Sequence, residues 1–225
     1  MDIIKIAFDK QKEIILDNSR YKVVCAGRRF GKSVLCKIIT IRNLIAKKRV
    51  VYITPIHLLG EKFYNEIVNS FPSESIIHQD KQKLELKIEG GGELKFFSGE
   101  ELYRSRGCEF DLLIVDEADY VNDLKTEWDI SLRHLIDKTV GEALFVSTPN
   151  GENKFIYSLF KEGIYKEDGF KFWQFSTHHN PYYPKEELQE LIETLPEAEY
   201  RQEILADTDY IQTYLRNEKI ESILS

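Results

Sequence analysis

The chain has 225 residues, of which 42% are hydrophobic and 31% charged, a composition that fits one well-buried globular domain. No apolar run approaches the ~18 residues that cross a bilayer, and the N-terminal MDIIKIAFDKQKE lacks the features of a signal peptide. The net charge of −7 excludes a protein coated in positive charge for nucleic acid. Residues 185–225 hold 11 acidic and 4 basic side chains, so residues 1–184 are neutral overall and leave room for a local basic surface.

In chain order, short apolar runs alternate with helical patterns, which predicts a parallel α/β sheet. The apolar runs and turn signals give the following elements: helix 9–17, strand 21–25, helix 32–47, strand 49–54, helix 59–71, a β-hairpin over 83–99 with three glycines at its turn, strand 111–117, helix 122–138, strand 143–148, helix 153–162, strand 170–177 and helices from 185 onward. The run DLLIVDE is typical of a central strand buried on both faces. Strands beginning at 21, 50, 111 and 143 are expected to form the core.

Residues 26–33, AGRRFGKS, follow an apolar strand and open a helix, which is the setting of a phosphate-binding loop. The pattern G-x-x-x-x-G-K-[ST] is complete except that Ala26 replaces its first glycine, which asks only that the φ angle there be negative. Lys32 is placed to reach the β- and γ-phosphates of ATP, and Ser33 to offer its hydroxyl to Mg²⁺. Gly31 keeps the backbone close to the phosphates. A chance match of small and basic residues is the alternative.

The hydrophobic run before Asp116 and Glu117 has the Walker B pattern, 84 residues after Lys32. Asp116 is expected to hold Mg²⁺, and Glu117 to polarise the attacking water as a general base. Two surface acids capping a strand end are the alternative; that explanation is common for such a pair alone, and the phosphate-binding loop upstream argues against it.

Three further features are candidates for nucleotide contact. In FVSTPNG, Thr148 or Ser147 ends a central strand, where open α/β sheets place ligand groups, although the segment is also typical of an ordinary turn. Gln11 could pair with both edges of adenine through its amide. Arg104 or Arg106 could stabilise the phosphate charge during transfer.

Taken together, these motifs resemble the ATPase domain of a bacteriophage large terminase, the motor that packs viral DNA. The resemblance runs from Gln11 to Asp207 and includes GRRFGKS, an Arg-Gly before IVDEA, STPNG, and an Asn-Pro before a helix ending YRQEILAD. It implies an α/β fold of the RecA-like additional-strand (ASCE) P-loop NTPase type, with a parallel sheet flanked by helices and an inserted β-hairpin.

The resemblance also implies roles for individual residues. Arg106 would be the arginine finger acting on the neighbouring subunit's ATP, with Arg104 the second choice. Arg28 or Arg29 would sense the γ-phosphate. Thr148 and Asn150 would couple hydrolysis to movement.

By the same resemblance, the cofactors are ATP and Mg²⁺, and the partners are double-stranded DNA, the portal protein and the small terminase subunit. The chain would form a ring when active and a monomer when isolated, in the host cytoplasm. Residues 1–207 are expected to form the ATPase domain and 208–225 a tail or the start of a linker. Because the sequence shows no strand-borne acidic triad like that of terminase nucleases, DNA cleavage is not expected.

Two other classes fit parts of the pattern. Residues 116–119 read Asp-Glu-Ala-Asp and STP follows, as in superfamily 2 helicases, but those enzymes need two RecA-like domains in one chain. A nucleotide-binding assembly module without turnover is the third class, although it has no need of a base such as Glu117.

Overall fold

Residues 3–151, 154–161 and 169–208, which the computed structural model describes, contain one sheet of eight strands. The strands are β1 (Tyr21–Ala26), β2 (Arg49–Thr54), β3 (Ile76–Asp80), β4 (Glu85–Ile88), β5 (Glu93–Ser98), β6 (Leu112–Asp116), β7 (Glu142–Ser147) and β8 (Phe170–Phe175). Their order across the sheet is β3-β4-β5-β2-β6-β7-β1-β8. The pairs from β5 through to β8 are parallel, whereas β4 runs antiparallel to both β3 and β5.

The helices connect these strands and cover both faces of the sheet. They are α1 (Asp9–Leu16), α2 (Lys32–Ile45), α3 (His57–Val68), α4 (Leu124–Glu127), α5 (His134–Asp137), α6 (Phe155–Lys161), α7 (Lys185–Thr194) and α8 (Glu197–Glu199). A π turn at Trp128–Leu132 joins α4 to α5, and a second at Tyr200–Ile204 follows α8. Within the described ranges, no helix is long and apolar enough to span a bilayer.

The central strands are apolar throughout because each contributes to two cores. On one face, Val24 and Ile114 pack in a cluster that includes residues of α1, α2 and α3. On the other face, the neighbouring Val23 and Val115 pack in a cluster that includes Trp128, which is fully buried. This alternation explains why all six residues of β1 are buried.

Parallel pairing brings the carboxyl ends of the central strands to one edge of the sheet. In the register, Cys25 of β1 lies opposite Ser147 of β7, and Asp116 of β6 lies opposite Val146 of β7. The loops after β1, β6 and β7 therefore leave the sheet at the same edge, where α/β folds bind ligands.

The predicted four-strand core is confirmed, with β2, β6, β7 and β1 adjacent in the sheet. The hairpin over 83–99 is also confirmed as β4 and β5, but β5 additionally pairs in parallel with β2. Strand β3 was not predicted, because this edge strand exposes His78 and Gln79 and so lacks an apolar pattern.

The prediction of one helix over 122–138 needs correction. The Arg133 N–H donates to the carbonyl of Trp128, five residues earlier, and the Ser131 hydroxyl lies within hydrogen-bond distance of both the carboxylate (2.6 Å) and the carbonyl (3.1 Å) of Glu127. The helix is therefore interrupted by a π turn. The predicted helix over 153–162 is confirmed as α6, although residues 153 and 162 lie outside the described part, as does most of the predicted 208–225 tail.

Candidate nucleotide-binding site

The loop between β1 and α2 has the backbone that a phosphate-binding loop needs. Ala26 is fully buried and remains part of β1, whereas the left-handed positions are Arg29 (φ 60°) and Gly31 (φ 100°). A glycine is therefore required at 31 and not at 26. The departure of Ala26 from the usual pattern costs this loop nothing in backbone conformation.

Lys32 is buried beneath this loop and faces the end of β7. Its ammonium Nζ donates to the carbonyls of Ala26 (3.0 Å) and Gly27 (3.2 Å) and to Oγ1 of Thr148 (2.7 Å). Burial lowers the pKa of Lys32, and the carboxylates of Glu117 and Asp116 counteract that shift. The structure thus brings together three segments that the sequence analysis selected separately.

The acid pair lies at the carboxyl end of β6. Asp116 accepts hydrogen bonds from the Tyr52 hydroxyl (2.8 Å) and from the Glu117 N–H (3.0 Å). The pKa of Asp116 is raised to about 6, mainly because the carboxyl group is buried and secondly because the negative charge of Glu117 lies nearby. Glu117 itself adopts the left-handed region (φ 49°, ψ 51°), where a non-glycine residue costs about 1–3 kcal/mol and commonly marks a functional site.

A cleft of about 510 Å³ opens beside these groups. Its polar lining includes three predicted site residues: Arg28, Glu117 and Thr148. Its apolar lining includes Ile56 and Leu59 at the start of α3. The cleft therefore combines charged groups with an apolar wall, as small-molecule sites do.

Three other residues predicted to contact the nucleotide do not line this cleft. Ser33 is exposed on the first turn of α2, and Arg29 is exposed in the loop. The amide of Gln11 is occupied, since it donates to the Gly31 carbonyl (2.9 Å) and accepts from the Phe8 N–H (3.3 Å). Its pairing with adenine stays a prediction, and it would require Gln11 to exchange these bonds.

Arg106 and Arg104 are not part of the cleft of their own chain. Arg106 is exposed at a separate surface cavity of about 500 Å³, which Ile130 and His134 also line. Arg104 forms an ion pair with Glu101 (2.8 Å). Action of Arg106 on a neighbouring subunit's ATP stays a prediction.

The sequence analysis missed a set of contacts that we call the clamp, formed by Thr177, Asn180, Glu203 and Ile204. Glu203 pairs with Arg28 through its side chain (2.5 Å), and its carbonyl accepts from the Arg28 N–H (2.6 Å). Thr177 donates to the Arg28 carbonyl and Asn180 to the Arg29 carbonyl, both at 2.6 Å. The clamp thereby fixes the backbone of the loop. Its only sequence signal was the NP and YRQEILAD stretches.

The loop packs against the clamp at Gly27 without room for a side chain. A Cβ at this position would lie 2.3 Å from the Ile204 carbonyl oxygen and 2.8 Å from Oγ1 of Thr177. Because the nearer atom is backbone, Gly27→Ala should cost about 1–3 kcal/mol of stability and weaken ATP binding by shifting the loop. Thermal denaturation and calorimetric titration with ATP measure the two effects.

Gly91→Ala is the matched control for this prediction, since a Cβ there meets open space and the strain comes only from its φ of 106°. This variant should lose stability without losing ATP affinity. If Gly27→Ala bound ATP as tightly as Gly91→Ala, the clamp would not control the loop.

A buried lysine in a strand–loop–helix turn, facing an acid pair at the end of a parallel strand two positions away in the sheet, defines a P-loop nucleotide-binding domain with a RecA-like sheet. The chain belongs to the family described as terminase large subunit, T4likevirus-type, N-terminal, whose profile matches residues 23–208. It is 26% identical over 196 residues to the terminase large subunit of Escherichia phage T5, covering 84% of this chain and 44% of that protein. The chain thus spans less than half the length of this relative.

Solved structures of large terminases share the fold. The Thermus phage P74-26 large terminase ATPase domain superposes with a TM-score of 0.72 at 22% identity, covering 89% of this chain and 93% of that one. The large terminase of another thermophilic bacteriophage, solved in complex with ADP, gives a TM-score of 0.70 at 12% identity, with 88% and 52% covered. The HK97 bacteriophage large terminase gives 0.68 at 17% identity, with 90% and 51% covered.

Proposed function

We propose that the chain is the Mg²⁺-dependent, ATP-hydrolysing motor domain of a viral large terminase, which drives double-stranded DNA into a prohead. The observation that carries the proposal is the convergence of Lys32, Asp116 and Glu117 at one edge of a RecA-like sheet. Membership of the terminase large subunit family supports it, and one large terminase of the same fold has been solved with ADP. DNA cleavage is not part of the activity that we propose for this chain.

In the proposed reaction, Lys32 exchanges its carbonyl partners Ala26 and Gly27 for the β- and γ-phosphates. Ammonium–phosphate hydrogen bonds are charge-assisted and therefore stronger than those to neutral carbonyls. The backbone N–H groups at the start of α2 point at the same anion. Arg28 or Arg29 completes the contacts by sensing the γ-phosphate.

The side chains present fit a magnesium ion. Mg²⁺ prefers oxygen ligands and is usually held by one or two carboxylates, substrate phosphates and water, and Asp116 and Ser33 offer such oxygens. Among the described residues there is no cluster of three or more His, Cys, Asp or Glu that would hold a metal without a nucleotide. When bound, the ion neutralises charge that develops on the phosphates.

Glu117 orients a water molecule towards the γ-phosphate and accepts its proton. Thr148, which already contacts Lys32, registers the loss of the γ-phosphate, and together with Asn150 it couples hydrolysis to movement. The acid, the lysine and the threonine thus act on the same end of the nucleotide.

The partners follow from the same proposal: double-stranded DNA, the portal protein and the small terminase subunit, with the chain in a ring on the portal in the host cytoplasm. A motor that moves along a duplex should grip phosphates and not bases, so its DNA affinity should fall steeply with salt. A helicase fragment would instead separate strands without a portal.

Lys32→Ala tests the proposal. This variant should lose ATP binding and hydrolysis, because the bound phosphates lose their buried cation, and wild-type hydrolysis should stop when Mg²⁺ is chelated. Phosphate release and calorimetric titration with ATP measure these effects. Lys81→Ala, at an exposed lysine near the far edge of the sheet, is the control and should match the wild type. Equal ATP binding by the two variants would refute the assignment of the loop.

A further inference from the structure

Asp119 lies two residues beyond Glu117 and is fully buried. Its carboxylate accepts hydrogen bonds from two backbone N–H groups of a distant segment: Asn150 to Oδ2 (3.0 Å) and Ile156 to Oδ1 (2.7 Å). Its own N–H donates to the Ser147 hydroxyl (3.2 Å). The Asp119 N–H thus links the turn after β6 to the end of β7, and the Asp119 carboxylate links the same turn to the loop after β7 and to the first turn of α6.

Burying a carboxylate at this position costs free energy of folding unless its charge is compensated. Asp119 follows Ala118 in the chain and accepts from Ile156, both of which belong to one apolar core, and a charge buried there must be compensated by hydrogen bonds. Both of its oxygens are used, each by a separate N–H group. An amide side chain has only one carbonyl oxygen, whereas the carboxylate of Asp119 provides a separate oxygen for each of the two N–H groups.

The turn that Asp119 holds contains the strained Glu117. Glu117 has a left-handed backbone, and the turn is closed by a hydrogen bond from the Tyr120 N–H to the Glu117 carbonyl (2.9 Å). Such strain persists only where surrounding contacts over-determine it. Asp116 supplies a contact on one side of Glu117, and the Asp119 bonds supply those on the other.

The segment that Asp119 holds also reaches the phosphate-binding lysine. Ser147, which accepts from the Asp119 N–H, precedes Thr148, whose hydroxyl contacts Lys32. The Ser147 hydroxyl in turn donates to the Thr148 carbonyl (2.8 Å). A continuous set of hydrogen bonds therefore connects the Glu117 turn, the Thr148 contact and the start of α6.

We propose that Asp119 is a positioning residue that keeps Glu117 and Thr148 in one rigid unit and transmits a shift of that unit to α6. The inference rests on the proposed function, because it assigns Glu117 and Thr148 to the hydrolytic site. It adds a residue that touches neither ATP nor Mg²⁺ and acts through Glu117.

Asp119→Asn is the direct test. Asparagine keeps the shape but has one carbonyl oxygen, so one of the two N–H groups loses its acceptor. We expect kcat for ATP hydrolysis to fall by about tenfold or more while KM stays within about twofold, since the phosphate contacts of Lys32 remain. In the nucleotide-free protein, hydrogen exchange of the Asn150 and Ile156 amides should accelerate, whereas exchange in β1 should not.

Two further variants separate positioning from mere stability. Ser158→Ala on α6 removes a buried hydroxyl that donates to the Phe155 carbonyl (2.8 Å), so it should lower stability and leave kcat unchanged. Ser147→Ala leaves the Asp119 carboxylate intact but frees its backbone N–H, and it should lower kcat with little change in KM. This second variant carries the test if Asp119→Asn does not fold.

The inference fails if Asp119→Asn or, in its place, Ser147→Ala hydrolyses ATP as fast as Ser158→Ala. It also fails if the variant loses affinity instead of rate. If the wild type hydrolysed no ATP, the proposed function would fail, but amide exchange would still decide whether Asp119 holds the loop. Unchanged exchange at Asn150 and Ile156 would then overturn the inference independently.

Discussion

Glu117→Gln is expected to lower ATP hydrolysis by about 10²–10⁴-fold, the usual contribution of a general base, while ATP still binds. Glutamine has the size of glutamate but cannot accept a proton from water. The left-handed backbone of Glu117 is fixed by the turn and not by the carboxylate, so the substitution should leave the turn intact. Single-turnover phosphate release and calorimetric titration with ATP give the two quantities.

Glu89→Gln, at an exposed position in the β4–β5 hairpin, is the matched control and should behave as the wild type. Turnover by Glu117→Gln at the wild-type rate would remove Glu117 from the mechanism. A loss of ATP affinity as large as the loss of rate would instead indicate that Glu117 supports binding.

Arg106→Ala is expected to abolish the assembled motor's activity, since arginine fingers contribute about 10³–10⁵ to the hydrolysis rate. Arg106 is exposed, lies outside its own cleft and has no ion-pair partner among the described residues. If it acts on the next subunit, one variant disables a neighbour's site as well. DNA packaging by mixtures with wild-type subunits should therefore fall faster than the wild-type fraction.

Arg104→Ala is the comparison, because Arg104 lies in the same exposed segment as Arg106 but is paired with Glu101. It should disturb packaging far less than Arg106→Ala. A strictly proportional decline with the Arg106→Ala fraction would show that each subunit works with its own residues alone, and the reverse ranking of the two variants would move the finger to Arg104.

Most of the central fold was predictable because burial imposes a local pattern. The run 112–115 is apolar and buried at every position, as in a central strand, and Lys32 follows a strand and opens a helix. The edge strand β3 and the π turn were not predictable in the same way. The first has no buried face to impose a pattern, and the second depends on a hydrogen bond between residues five apart, which the apolar pattern does not reveal.

In the candidate site too, the residues that belong to local motifs were predictable and the long-range contacts were not. Lys32, Asp116, Glu117 and Thr148 were identified from local motifs, and the structure brings them to one edge of the sheet. The contacts of Asp119 and the clamp join residues far apart in sequence, so a local motif, including the NP and YRQEILAD stretches of the clamp, does not show which residues meet. Gln11 illustrates the limit: a motif can select a residue without revealing that its amide already holds the Gly31 carbonyl.

The tight packing of Gly27 against the Ile204 carbonyl has a consequence for exchanging segments between members of this family. The stretch from Thr177 to Ile204 supports the backbone of the loop between β1 and α2, so it cannot be treated as an interchangeable module. A chimaera joined upstream of this stretch would pair one virus's phosphate loop with another's supporting wall. Hybrid proteins should keep residues 21–204 from a single parent and place the junction after Thr208.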